Sequence, residues 1–187
     1  MRLSEIDRGD GLGSRLLIGF ISLVSGMRLP DAARVAFYHK AFFNGSMGSW
    51  TQLTMRGPSD WTIGERELMA AMVAKWNSCT FCVGAHGAIA SKEMPPRLVD
   101  EALSDYRTAK LPSGLKATLA FLEKLTLQPT EIASEDASIV LQAEVAPRAL
   151  EDAIAVASIF GIVTRYADAL SFAIPTEVEF DKRPTCS

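Results

Sequence analysis

Between Ala153 and Val163 the chain is apolar on every face that a helix could present, whereas an ordinary surface helix keeps one polar side. Eleven residues are too few to cross a bilayer, which takes about 20. The stretch therefore has to be covered all round by other elements, as a central helix that also approaches a partner chain. The rest of the sequence supports a bundle around it. Apolar residues recur at spacings of three and four, sustained alternation is almost absent, and no segment reads as a strand. An all-α fold follows.

Start and stop signals bound the helices. The first spans about Gly13 to Ser25. Asp31 caps a second over Ala32 to Phe43, which Asn44-Gly45-Ser46 ends, and a third, about Met47 to Met55, stops at Arg56-Gly57-Pro58. Thr62-Ile63-Gly64-Glu65 has the form of a capping box and opens a fourth helix, to Trp76. Asn77 and Ser78 offer side-chain oxygens to cap a fifth, from Cys79 to about Ser91, and Pro95-Pro96 opens a short helix to Leu103. Ser113 opens one through Leu125, Ser134 one through Glu144, and Pro147 leads the last to about Phe172. With 187 residues, no internal repeat and no linker, the expectation is a single domain over residues 1–187. Its core is about 30–175, with an irregular tail at 176–187.

Charge and cysteine use narrow the function. The 19 basic and 22 acidic residues give a net charge of −3, without the positive field that neutralises phosphates, so nucleic acid is not an expected partner. The apolar run from Leu16 to Val24 is short of a bilayer span. Glu5, Asp7 and Asp10 precede it and no small-x-small site follows, unlike a signal peptide. No membrane association is expected. Three cysteines do not make a secreted disulfide framework, and a reducing, cytoplasmic location is expected.

Two of those cysteines, Cys79 and Cys82, form a Cys-x-x-Cys pair followed by His86. On a helix all three fall within an arc of about 60°. Cysteines at i and i+3 are close enough to form a disulfide, and His86 stands one turn beyond Cys82, near enough to exchange a proton. The first turn of a helix also stabilises a thiolate over a thiol. Reversible thiol chemistry accounts for this pattern better than a pair of small packing residues or a zinc site. Cys79 and His86 are separated by about 10.5 Å of helix rise, too far to share one ion without unwinding. Val83, not histidine, follows Cys82, which excludes covalent haem attachment. No cofactor or metal is expected.

Glu67, twelve positions before Cys79, followed by Cys79-Thr80-Phe81-Cys82 and His86, resembles the core motif of the alkylhydroperoxidase D-like proteins, within the carboxymuconolactone decarboxylase-like superfamily. Leu29-Pro30-Asp31, Arg56-Gly57-Pro58, Gly64-Glu65-Arg66-Glu67-Leu68, Asn77 and Arg165-Tyr166-Ala167-Asp168-Ala169-Leu170 resemble its peroxidase-related branch, over roughly residues 30 to 175. The resemblance implies an all-helical bundle, assembled as a trimer or a multiple of one. It also implies thiol peroxidase or disulfide reductase activity toward hydroperoxides, with a dithiol reductant such as a lipoyl group or another redox protein. Cys82 would then attack the peroxide, Cys79 would resolve it, and Glu67 with His86 would relay protons. The chain departs from the best-studied members in carrying Phe81 where they have a histidine. A thiol sensor or binding module on the same fold, and a lactone decarboxylase-like enzyme, are the alternatives; the latter leaves the cysteine pair unexplained.

The remaining candidates read as structural. A glutamate early in a helix is ordinarily a solvated residue, and it is the spacing to Cys79 that marks Glu67. Glu65 is the cap partner of Thr62. His39 reads as a partly exposed side chain and Cys186 as part of a mobile end. Trp50, Trp61 and Trp76 read as core, with Trp76 placed to wall the thiol pocket. Arg165, Tyr166 and Asp168 read as an ion pair or interface contact on the last helix.

Overall fold

A computed structural model describes residues 1–9, 11–26, 28–38 and 45–173. His39, Cys186 and the tail beyond Pro175 lie outside the described residues, as does the end of the helix expected to reach Phe43. Every long regular element among the described residues is an α-helix: α1 (Ser4–Arg8), α2 (Leu12–Ser25), α3 (Asp31–Tyr38), α4 (Ser46–Arg56), α5 (Ile63–Trp76), α6 (Thr80–Glu93), α7 (Pro96–Asp105), α8 (Ser113–Leu127), α9 (Ser134–Gln142) and α10 (Pro147–Leu170). A single 3-10 turn, Pro129–Glu131, follows α8. The expected elements are present, with α1 in addition.

The centre of the bundle is α5, not the last helix as expected. All residues from Arg66 to Ala74 are buried, and Leu68 to Ala74 are at most 1% exposed. Ala70, Ala71 and Ala74 are small enough for α6, α8 and α10 to approach on different sides. The polar letters Arg66, Glu67 and Lys75 disguise this helix in the sequence. By contrast, α10 buries Ala153, Val156, Ala157, Ile159 and Phe160 against α5 and α8, while Ser158 and Ile162 stay exposed. Within one chain it is covered on one side only. It is also one continuous helix of 24 residues, long and apolar enough by composition alone to reach across a bilayer, yet its inner face is part of the core.

Local signals set the boundaries of α5. The capping box is formed, with Thr62 Oγ1 accepting from the Glu65 amide at 3.2 Å and Glu65 Oε2 accepting from the Thr62 amide at 2.9 Å. At the other end Ser78 takes a left-handed φ of 62°. The Cys79 amide reaches back to the Ala74 carbonyl at 2.9 Å, and the Ser78 amide to Lys75. This Schellman-type closure turns the chain within three residues, so that α6 runs back along α5 as a helical hairpin. Asn77 and Ser78 do not cap α6 as expected, because both are used in ending α5 and Cys79 itself occupies the N-cap.

Ahead of α5, the turn over residues 56–62 is pinned from both sides. Trp61 Nε1 donates to the Ala149 carbonyl at 2.7 Å, and Ser59 Oγ to Asp152 at 2.6 Å. Buried Arg66 donates to the carbonyls of Thr54 and Gly57 at 3.0 and 2.9 Å. Gly57 closes α4 by donating its amide to Leu53 at 2.8 Å, and a Cβ there would stand 2.3 Å from that carbonyl oxygen. No side chain fits without moving the turn. Gly57→Ala is expected to cost about 1–3 kcal/mol, read as a lower urea midpoint with an unchanged slope.

Candidate redox site

The α5–α6 hairpin explains the spacing of the motif. Glu67 lies ten residues before Asn77 and His86 nine after it, so antiparallel packing brings the two level across the interface. His86 Nδ1 is 2.5 Å from Glu67 Oε2. The other carboxylate oxygen accepts from Arg56 at 2.6 Å, from the end of α4. Glu67 is 1% exposed. Burial alone would raise its carboxyl, but the hydrogen bond and charge of His86, then those of Arg56, outweigh that and hold it below the ordinary carboxylate value. The His86 ring stands edge-on against Phe160 of α10, with centroids 4.5 Å apart, which fixes the imidazole plane.

Both cysteines are free and buried, Cys79 at 0% and Cys82 at 1% exposure. They form a small cluster with Ala74, Phe81 and Ala167, closed by Val83, Val163 and Phe172. The two thiols ionise as a unit. Hydrogen bonding from the Cys82 thiol, and then from the Cys82 amide, lowers the Cys79 thiol against its burial. Donating to Cys79, together with burial and the Cys79 charge, pushes the Cys82 thiol far above its ordinary value. Of the two, Cys79 is therefore the thiol that gives up its proton more readily, whereas the resemblance assigns the attack to Cys82. Asp168, on α10, opposes that ionisation.

The structure thus brings together all four expected residues, Glu67, Cys79, Cys82 and His86, on one hairpin. It adds Arg56, Asp168 and Phe172; Asp168 carried a signal only within the Arg165–Leu170 segment, and Phe172 carried none. Arg56 carried a signal only as part of Arg56-Gly57-Pro58. Trp76 does not wall the thiols; it packs edge-on against Tyr106, 6.1 Å between centroids. Phe81 does so instead, edge-on to Phe172 at 5.2 Å. Phe172 and Val163 also line an apolar cavity of about 260 Å³ between α3, α4 and α10, so these two side chains are shared by that space and the dithiol cluster. Among the described residues, no group of three or more His, Cys, Asp or Glu side chains is arranged to hold a metal ion.

No protein-family model matches the sequence, and no protein of curated function does. The fold does have close likenesses among solved structures. An uncharacterized peroxidase-related protein from Silicibacter sp. TM1040 superposes with a TM-score of 0.80 at 24% identity, covering 97% of this chain and 95% of the other. An uncharacterized peroxidase-related protein from Ralstonia eutropha JMP134, described as an alkylhydroperoxidase AhpD core, superposes with a TM-score of 0.74 at 23% identity, covering 96% and 92%. The chain has their all-helical fold over nearly its whole length.

The depressed Glu67 carboxyl has a consequence for acid stability. Its folded value lies below the unfolded one near 4.5, so its contribution is complete above about pH 4.5 and is lost as pH falls through the folded value. Glu67→Gln, which breaks a buried pair, is expected to cost about 3 kcal/mol at neutral pH. In denaturant unfolding at a series of pH values, the gap between the two proteins should shrink below pH 4.5.

Proposed function

We propose that this protein is a thiol-dependent peroxidase, a disulfide oxidoreductase that reduces hydroperoxides through a Cys79–Cys82 cycle with Glu67 and His86 as proton relay. The observation that carries this reading is the 2.5 Å contact between His86 and a buried, ionised Glu67, one helical turn from a buried dithiol. The peroxidase-related names of the two structural neighbours agree with it. A lone histidine near two thiols has many uses. One held in orientation by a desolvated carboxylate is suited to moving protons.

In this reading the proton on Cys82 passes to the Cys79 thiolate through their hydrogen bond, and Cys82 attacks the peroxide. The O–O bond breaks, Cys82 becomes a sulfenic acid, and the departing alkoxide takes a proton from His86. Attack at Cys82 is favoured because the leaving oxygen needs a donor, and His86 is one turn from Cys82 but two from Cys79. Cys79 then closes the disulfide, water departs, and an external dithiol, a lipoyl group or a redox protein, restores the pair.

The proposal extends to assembly and place. A homo-oligomer, trimer or hexamer, would cover the exposed stripe of Leu12, Leu16, Phe20 and Leu23 on α2 and the outer side of α10. A reducing cytoplasm would keep the pair in its dithiol form.

Peroxide consumption with several dithiol donors tests the activity; a sensor would oxidise once and stop. Cys82→Ser should abolish turnover. Cys79→Ser should consume about one equivalent and stall with Cys82 oxidised, and His86→Ala should slow the reaction by about 10- to 1000-fold. If Cys79→Ser shows no initial oxidation, the two sulfur roles are reversed; if neither cysteine matters, the dithiol reading fails.

A further inference from the structure

We infer that Phe172 is the gate of the dithiol, and that it opens by turning its ring into the apolar cavity between α3, α4 and α10. The gate rests on the thiol-peroxidase reading only for what passes through it; its geometry is independent of the reaction. The need for a gate follows from burial. Cys79 and Cys82 have almost no exposed surface, whereas exchange with an outside thiol requires that the two sulfurs touch. Among the described residues, Ala74, Phe81, Val83, Val163, Ala167 and Phe172 pack with the cysteines in one cluster. Ala74 is on the central α5, Phe81 and Val83 on α6 itself, and Val163 and Ala167 on α10. Phe172 differs from them in standing beyond a helix end, and it is only part-buried.

The backbone has a pivot at this point and the ring has a destination. Ser171, which ends α10, takes a left-handed φ of 51°, and residues at the ends of elements are where hinges absorb their backbone change. The Phe172 ring already borders the cavity of about 260 Å³, with Val35 and Ala36 of α3 and Met47 of α4 on other walls. An apolar cavity of about 150 Å³ takes a benzene ring, so a phenyl ring fits. On turning, it exchanges its edge-on contact with Phe81 for another apolar surrounding and not for water. Among the described residues, no charged side chain lines that space.

The latch that holds the gate shut comes from the other end of the chain. The amide of Ala173, directly after Phe172, donates to Asp31 Oδ2 at 2.7 Å. That carboxylate opens α3 and has no exposed surface. Its other oxygen lies 2.7 Å from Arg28, which also pairs with Asp7 at 2.7 Å. Arg2 adds its amide to the Leu170 carbonyl at 2.8 Å and its guanidinium to that of Ala169 at 3.2 Å. Asp31 is thus a positioning residue that acts on the sulfurs through Phe172.

One helix therefore carries both the latch and a wall of the space that receives the ring, since Asp31 begins α3 and Val35 and Ala36 follow on it. The place that the ring vacates is bounded by Phe81, Val83 and Ala167. Apolar walls of this kind suit a neutral molecule with an apolar flank and disfavour a charged one.

The test reads thiol reactivity and needs no peroxide. Reduced protein carrying Cys186→Ser is mixed with dithiodipyridine, a neutral aromatic disulfide, and the release of thiopyridone gives the rate at which the sulfurs are reached. A minor open state is populated at about 0.1–10%, so Phe172→Ala should raise that rate by about 10- to 1000-fold. Asp31→Ala should raise it too, while Asp31→Asn, which keeps an acceptor oxygen, should stay near the parent rate. Ala36→Leu, which fills the cavity, should lower it severalfold. In the parent protein, opening exposes one ring, so the rate should be nearly flat in low urea. A rate that climbs with the full unfolding slope shows that the sulfurs are reached only by global unfolding, and overturns the gate. An unchanged rate in Phe172→Ala, or a rate in Ala36→Leu no lower than the parent's, overturns it as well. A protein that reacts as expected here and reduces no peroxide keeps the gate and loses the peroxidase reading.

Discussion

A carboxylate on the central helix of a bundle is tolerable only when its charge is matched, since an isolated buried ion costs several kcal/mol. Glu67 meets that demand with two partners, and most of the architecture follows from delivering them. His86 is supplied by the hairpin, which fixes the length of α6 before its ring must appear. Arg56 is supplied by α4, and its approach depends on Arg66 gripping the carbonyls of Thr54 and Gly57. The pinned turn after α4, the glycine that closes it and the tryptophan tied to α10 thus serve one electrostatic end. A hydrophobic residue at position 67 would pack more cheaply. What the carboxylate adds is a fixed orientation for the His86 imidazole.

The dithiol is made by a different device. The left-handed Ser78 ends α5 and delivers Cys79 into the N-cap position of α6, one turn ahead of Cys82. The consequence is an unequal pair, one sulfur stabilised as an anion by the other's proton. That inequality belongs to the turn as much as to the cysteines, because it arises from where α5 stops.

The sequence was informative wherever chemistry and local geometry coincide. Thr62 and Glu65 mark a helix start through short-range bonds and Pro96 and Pro147 through a fixed φ, and the Glu67–Cys79–Cys82–His86 spacing is the register of a hairpin written in one dimension. It was less informative about centrality. Residues 153–163 look more buried than residues 66–74 because hydrophobicity is legible and pairing is not; Arg66 and Glu67 are buried through partners on other elements. Asn77 and Ser78 are ambiguous in the sequence for a related reason. Either can cap the following helix or end the preceding one, and only the path of the backbone chooses. Phe172 reaches the cysteines from the far end of the chain, so no local pattern announces it.

That distance bears on how the molecule is made. The hairpin carrying both sulfurs is translated well before Ala167 and Phe172, which pack against those sulfurs near the end of the described chain. Chains emerge amino end first and their parts associate as they appear. From the translation of Cys82 to that of Ala167, then, the nascent chain carries an uncovered dithiol, and the seal arrives only when α10 docks beside residues that were translated long before.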